Sequence, residues 1–337
     1  MTSPPPEFAF KGVVIIADIL RTEPANRGHL NRALEQTDLS TLNDLCAAIR
    51  RLGLNVYHYE HPQALASNAS RHLHDIVLSI FGGSTSRNRM ALVPAVCESM
   101  GLSFIGPDAY GRVICQDKEV SKALALQAGL RVPPHRIIRT KDDLLKLRDF
   151  DIPYVAKPLW EGSSIGIGPD SMVTEKRKGM NVVQKLLTAF NQPIMVEAFV
   201  PGREVSYCFV DPQGSPPLRV LGEIVWDGRR EYFDNHLYDA SHKAIAAGRK
   251  AVDVISNELG ASAAQGMEKL LEMIGPTGYG RIDGKLLDGE FVFLEITPDA
   301  WLGASGTLMT SFMKQGRSFD EVIACILLSG RSIPRDQ

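Results

Sequence analysis

The first hundred residues constrain this chain most, because short β-branched runs alternate there with stretches of helical spacing. Gly12-Val13-Val14-Ile15-Ile16 is apolar at every position after the glycine, as a strand covered on both faces requires. Residues 55–59 and 75–81 repeat the strand signal, the latter ending at Gly82-Gly83, and Ser103-Phe104-Ile105 gives a fourth run. Between them, Leu42, Leu45, Cys46, Ile49 and Leu52 share one helical face, with Ser40 placed to cap the helix and Gly53 to stop it. A second helix is expected over 88–100, closed by Gly101. This β-α-β-α-β order predicts an α/β fold opening with a doubly wound domain over residues 8–107.

The character then changes. Residues 108–198 carry a helix with Lys118 and Lys122, the strand Tyr154-Val155-Ala156-Lys157, a Gly/Ser-rich loop, a helix over 182–190 and a strand over 194–197. Residues 199–330 carry strands over 204–210 and 218–225, a long helix over 263–274, and two strands joined at Asp288-Gly289. A closing helix with Phe319, Val322, Ile323, Ile326 and Leu327 on one face follows. A chain of 337 residues is too long for one ordinary core, so two or three compact domains are expected.

Bulk properties exclude several partners. A formal net charge of −2 gives no general attraction for nucleic acid or an anionic membrane. No apolar run approaches the ~20 residues that span a bilayer. Met1-Thr2-Ser3-Pro4-Pro5-Pro6 lacks the basic and apolar segments of a secretory leader and reads as a disordered lead-in. The five cysteines are scattered without a C-x-x-C pair, and Cys46, Cys97 and Cys325 fall in helical apolar spacing as small core residues. A reducing, cytoplasmic setting is the expectation.

The densest chemical signal is Ala156-Lys157-Pro158 followed by Gly162-Ser163-Ser164-Ile165-Gly166-Ile167-Gly168. A strand ending in Lys and running into such a loop can offer backbone N–H groups, two hydroxyls and an ammonium to phosphate oxygens. The Lys precedes the glycines, so this is not a Walker A loop, and alone it equally suits a surface hairpin. A second signal is Arg281-Ile282-Asp283 on one strand and Glu295-Ile296-Thr297 on the next. Residues at i and i+2 share a strand face, so an aligned register would bring two carboxylates and a guanidinium together. Carboxylates with phosphate oxygens are what Mg²⁺ prefers; the bland alternative is a solvated charged face. Ile282, Leu294 and Ile296 are expected on the opposite, apolar face. Between these signals, Glu197 and Glu204 flank Ala198-Phe199-Val200-Pro201-Gly202-Arg203, a short link able to meet an adenine edge.

Taken in order, Asp117-Lys118, Lys157 with its Gly/Ser loop, Glu197 through Glu204, Gly280-Arg281-Ile282-Asp283 and Glu295-Ile296-Thr297 resemble the ATP-grasp superfamily, in its D-alanine–D-alanine ligase branch. The resemblance covers residues 106–297 most closely. It implies a three-domain architecture whose second and third domains (108–198 and 199–330) clasp a nucleotide. It implies ATP and Mg²⁺ as cofactors and amide-bond formation between a small-molecule carboxylate and an amine. Lys118 and Lys157 would hold phosphates while Ser163 and Ser164 close over them. Glu197, Ala198, Val200 and Glu204 would hold adenine and ribose, and Asp283, Glu295 and Thr297 would bind metal. Arg281 would neutralise the acyl-phosphate. A homodimer formed through the N-terminal domain is a further implication.

The chain departs from the family pattern at the substrate end. Thr297 stands where Asn is usual. The acidic segment after the third strand is replaced by Phe81-Gly82-Gly83-Ser84-Thr85-Ser86-Arg87-Asn88-Arg89, in which Arg87 or Arg89 could meet an anionic substrate or simply be solvated. Ile16-Ala17-Asp18-Ile19-Leu20 lacks the early substrate-binding Glu. Beyond the metal pair, Gly303 could supply an oxyanion N–H and Ser305 could hold the second substrate's carboxylate. In the mobile loop Tyr238 is retained, but Leu237 stands where a phosphate-binding Lys is expected, with His236 and Lys243 nearby. These changes point to a ligase of specialised metabolism acting on amino-acid-type substrates. The alternatives are a divergent D-alanine–D-alanine ligase of cell-wall synthesis and a nucleotide-binding protein without catalysis.

Overall fold

The computed structural model describes residues 7–21, 30–83, 86–244 and 247–331, organised by three sheets. The first holds β1 (Gly12–Ile16), β2 (Asn55–Tyr59), β3 (Ile76–Ser79) and β4 (Ser103–Phe104) in the order β2-β1-β3-β4, all neighbours parallel. Val13 and Ile15 join one apolar cluster with the helix Leu39–Arg51, while Val14 and Ile16 join another with Val93 and Cys97 of the helix Leu92–Met100. Each of these strand side chains is fully buried, worth roughly 1.5–3 kcal/mol apiece. The two-sided cover explains the unbroken apolar run.

Two helix starts in this layer differ from the sequence expectation. Asp38, not Ser40, caps the first helix: its carboxylate accepts from the Thr41 N–H at 2.8 Å, and the Ser40 hydroxyl donates to it at 2.6 Å. An ionised acceptor at a helix N-terminus also gains from the helix dipole. The second helix is regular only from Leu92, after a 3₁₀ turn at Arg89–Ala91. Pro94 then falls in the first turn, where a missing N–H costs nothing.

The second sheet holds β5 (His135–Ile138), β6 (Tyr154–Pro158), β7 (Met172–Val173) and β8 (Ile194–Ala198) in the order β5-β8-β6-β7, antiparallel throughout. The helix Lys176–Phe190 covers it with Val183, Leu186 and Phe190. Gly179 on this helix lies directly against the buried Tyr154, so that a Cβ there would overlap the Tyr154 hydroxyl and ring carbon. Gly179→Ala is therefore expected to destabilise the protein by about 1–3 kcal/mol in urea unfolding, although helix propensity alone predicts a gain of about 1 kcal/mol. A measured gain would show that the contact yields.

The third sheet holds β9 (Arg203–Val210), β10 (Leu218–Trp226), β11 (Lys250–Val254), β12 (Tyr279–Leu287) and β13 (Glu290–Thr297) in the order β11-β10-β9-β12-β13, again antiparallel. The helix Ala261–Ile274 packs on one face, against Tyr207, Phe209, Ile282 and Phe293. Asp288 and Gly289, at φ 52° and 81°, form the two-residue turn with both φ positive that suits a twisted hairpin. The closing helix Phe319–Leu328 returns to the first layer, where Val322, Ile323, Ile326 and Leu327 join the cluster of Val13 and Ile15. Among the described residues, no helix is long and apolar enough to cross a membrane.

Candidate active site

A cavity of about 1080 Å³ lies between the second and third sheets and reaches the first layer. Its floor is the β12–β13 hairpin, whose register sets Asp283 opposite Glu295 and Arg281 opposite Thr297. Asp283 accepts from the Ser206 hydroxyl on Oδ1 at 2.6 Å and from the Thr297 hydroxyl on Oδ2 at 3.3 Å, and Arg281 lies 3.2 Å from Oδ2. Lys118 reaches Glu295 at 3.3 Å. Desolvation opposes the Glu295 charge, but Lys118, Lys157 and Lys243 outweigh it and hold the carboxyl down to about 2.

The apolar side of the hairpin differs from expectation at one residue. The ladder shifts between Asp283 and Gly284, leaving Leu294 out of the pairing. Leu294 is thereby half-buried and lines the cavity, while Ile282 and Ile296 stay in the core. A bulge re-aims a side chain in this way.

The wall carrying β6 and β8 is held by charge. Glu197 is fully surrounded, with Lys157 on one carboxylate oxygen and Lys122 at 2.8 Å from the other. Desolvation would raise its pKa, but the two ammoniums overcome this and bring it to about 2. Both carboxylate oxygens thus face lysines, and the neighbouring link meets the cavity through Ala198, Phe199 and Val200. The Ala198 and Phe199 N–H groups donate to the carbonyls of Pro134 and Pro153. Glu204 also lines the cavity, 3.0 Å from the buried Lys285, which donates to the carbonyls of Gly202 and Phe233.

The Gly/Ser loop lines the same cavity with Gly162, Ser163 and Ser164. Ser163 and Ser164 both adopt positive φ, 49° and 60°, a conformation that costs a non-glycine residue roughly 1 kcal/mol or more. The turn is fastened at both ends. The Gly162 N–H donates to Glu35 at 2.8 Å, and the Ser164 hydroxyl donates to the Tyr238 carbonyl at 3.1 Å.

Tyr238 sits on the segment above the cleft. Asp239 accepts from Ser241 and lies 2.8 Å from the His242 ring, which in turn lies 3.2 Å from the Tyr232 hydroxyl. Leu237 lines the cavity without charge. His236 is stacked on Tyr232 with ring centres 4.2 Å apart and stays exposed, so it does not enter the cavity. Lys243 does line it. Its side chain meets solvent at the cleft mouth, yet the surrounding walls and Arg281 depress its ammonium to about 8.

The substrate-end expectations divide. Ser305 lines the cavity, and its carbonyl accepts from Lys250 at 2.8 Å. Gly303 does not belong to that lining; it lies under the Trp301 ring, which leaves no room for a Cβ. Arg87 is exposed, 5.6 Å from the Trp160 ring centre, and is likewise outside the lining. Arg89 is neither solvated nor open to a ligand: it is buried, 2.8 Å from Glu35 and 3.1 Å from Glu161, and donates to the Trp160 carbonyl. Arg89 has become an internal tie because both acids sit beside it.

Several residues in or near the cleft had no assigned role in the sequence reading. Lys122 lies outside the cavity lining, fully buried against Glu197, and its spacing of four from Lys118 equally suits a solvated charged face. Lys285 lies two residues after Asp283 on one strand, with a register shift between them. Glu35, Asp299 and Lys250 carry no local signal, since other elements bring them in.

A model of the D-Ala–D-Ala ligase C-terminus matches residues 124–328, more than half of the chain. The D-alanine–D-alanine ligase of Geobacter sulfurreducens is 25% identical over 240 residues, covering 70% of this chain and 72% of that protein. That of Pelagibacter ubique is 23% identical over 295 residues, covering 86% and 91%. Among solved structures, the D-alanine–D-alanine ligase of Bacillus anthracis superposes with a TM-score of 0.69 at 17% identity, over 95% of this chain and 97% of that one. The VanG D-Ala:D-Ser ligase of Enterococcus faecalis does so with a TM-score of 0.67 at 16% identity, over 95% and 99%. The parallel sheet and the two antiparallel sheets thus form the ATP-grasp fold of these ligases. With the family model matched over residues 124–328, the chain belongs to the D-alanine–D-alanine ligase family of ATP-grasp carbon–nitrogen ligases.

Proposed function

We propose that this chain joins the carboxylate of one amino-acid-type substrate to the amine of another, with ATP as phosphoryl donor. The observation that carries this reading is the β12–β13 register, which opposes Asp283 to Glu295 beneath Lys118, Lys157 and Arg281. A carboxylate is a poor electrophile. Its oxygen attacks the γ-phosphorus, the bond to the β-phosphate oxygen breaks, and ADP leaves an acyl-phosphate. The amine nitrogen then attacks the acyl carbon, the carbon–oxygen bond to phosphate breaks, and the nitrogen loses a proton as the amide forms. The protein's part is positioning and charge neutralisation.

In this reading Lys118 and Lys157 hold phosphate oxygens, and Ser163 and Ser164 close over them. Ala198 and Val200 meet the adenine edge with Glu197 behind them, and Glu204 faces the ribose. Asp283, Glu295 and Thr297 offer hard oxygen donors, and Mg²⁺ needs only one or two carboxylates because phosphate and water complete its shell. The donor set fits that ion, which would neutralise phosphate charge when bound. Tyr238 faces the substrates from the overhanging segment, and Ser305 lies at the amine end. The residues of the substrate end depart from the family pattern, which supports substrates other than D-alanine.

The test is ADP and phosphate release with ATP, Mg²⁺ and a panel of paired amino acids. Turnover with a pair that excludes D-alanine supports the reading. Efficient turnover with D-alanine alone replaces it with cell-wall synthesis, and binding of ATP without cleavage for any pair removes the enzymatic reading.

Lys243 takes the place of the cation missing at Leu237. It lines the cavity beside Arg281, within electrostatic reach of Glu295 and Asp283. Lys243→Met is expected to lower kcat by about 10–100-fold, in line with loss of one charge-assisted contact to a phosphoryl group. An unchanged kcat would return that role to another group.

A further inference from the structure

At the amine end of the cleft, Lys250 has a feature the ligase reading does not use. It begins β11, its ammonium lines the cavity, and it donates to the Ser305 carbonyl at 2.8 Å. Among the described residues, no carboxylate lies within ion-pairing distance of it. The nearby Lys314, by contrast, is 3.1 Å from Asp253. Burial first, then the positive charges of Arg281 and Lys243, push the Lys250 ammonium down to about 8. Lys243, by contrast, also feels Glu295, Asp283 and Glu204. Lys250 and Arg281 thus line one cavity, and the ion pair that Arg281 makes with Asp283 has no counterpart at Lys250 among the described residues.

Lys250 and Arg281 line the same cavity within electrostatic reach of each other, and two cations exceed what one carboxylate needs. Arg281 has a single acid beside it, Asp283, and its Nε is buried without a hydrogen-bond partner. Gathering like charges in a cleft costs free energy unless a ligand supplies the opposite charge. Thr307, Thr310 and Trp301 line the same cavity, so hydroxyl-bearing and apolar residues accompany the charge.

We propose that the amine substrate is an amino acid with an acidic side chain, and that Lys250 reads this second carboxylate while Arg281 faces the first. The inference rests on the ligase reading above and narrows its substrate class.

The experiment measures kcat/KM for ADP release with the full-length protein, ATP and Mg²⁺. Aspartate and glutamate of both hands are compared as amine substrates with their neutral isosteres asparagine and glutamine, against a panel of carboxylate donors. The expected result is a preference of about tenfold or more for the acidic member, the size of one charge-assisted contact. Lys250→Met should collapse that ratio, and Lys250→Arg should retain it. A purely structural role would lower both members together and leave the ratio intact. If Lys250→Met fails to fold, the parent's own preference and the Lys250→Arg ratio still decide.

Turnover with neutral amines and none with acidic ones would overturn this proposal while leaving the ligase reading in place. A Lys250→Met ratio equal to the parent's would do the same. Absence of ADP release with every pair would remove both.

Discussion

Replacing Asp283 by Asn is expected to reduce substrate-dependent ADP formation by about 10³-fold or more while leaving the fold intact, because it removes charge at the centre of the proposed phosphoryl site. Asp283 accepts from Ser206 and Thr297 and lies beside Arg281. An Asn side chain has the same shape and keeps one oxygen for the Ser206 hydroxyl. The β12–β13 ladder is made by backbone and does not depend on that charge. Loss of activity should therefore come without a comparable loss of thermal stability. Two measurements check this: ADP release under saturating ATP and Mg²⁺, and the melting temperature of the same preparation. Activity within tenfold of the parent would remove Asp283 from the phosphoryl site. A large fall in melting temperature would show instead that the carboxylate holds the hairpin together.

Where a residue's partner is set by strand alternation or helix spacing, the sequence already announced it. Arg281, Asp283, Glu295 and Thr297 fell together because alternation fixes faces and the Asp288-Gly289 turn fixes the register. The failures have an equally definite origin. Leu294 moved into the cleft because a single unpaired residue reverses the alternation beyond it. Arg89 looked available because its acids, Glu35 and Glu161, lie 54 and 72 positions away in the chain. The strands His135–Ile138 and Met172–Val173 are four and two residues long, too short for a period to be read. Gly303 was placed by its position in a motif that this chain does not keep, and the turn there follows the Trp301 ring instead.

The buried lysine–carboxylate cluster yields the other large expectation. Glu197→Gln leaves Lys122 and Lys157 without their shared counter-charge, and breaking one side of a buried pair costs about 3–5 kcal/mol. The effect has a defined pH signature. The Glu197 carboxyl is held to about 2 in the folded protein, well below its ordinary value of 4.5, by Lys122 and Lys157 working against desolvation. A depressed acid contributes stability above its unfolded pKa and loses it as pH falls toward the folded one. The parent and Glu197→Gln should therefore differ most near neutral pH, and their unfolding free energies should converge between about pH 4.5 and pH 2. Adding Lys122→Met to Glu197→Gln should recover part of the loss, because an apolar side chain of similar length needs no counter-charge in a site with no solvent exposure. Urea unfolding of the parent, the single variants and the double variant from pH 7 downward closes this cycle. A Glu197→Gln cost below about 1 kcal/mol at pH 7 would mean that the two ammoniums are served by other groups, because an unpaired buried lysine is not that cheap. A cost that stays constant down to pH 2 would mean that packing of the side chain, not its charge, carries the effect.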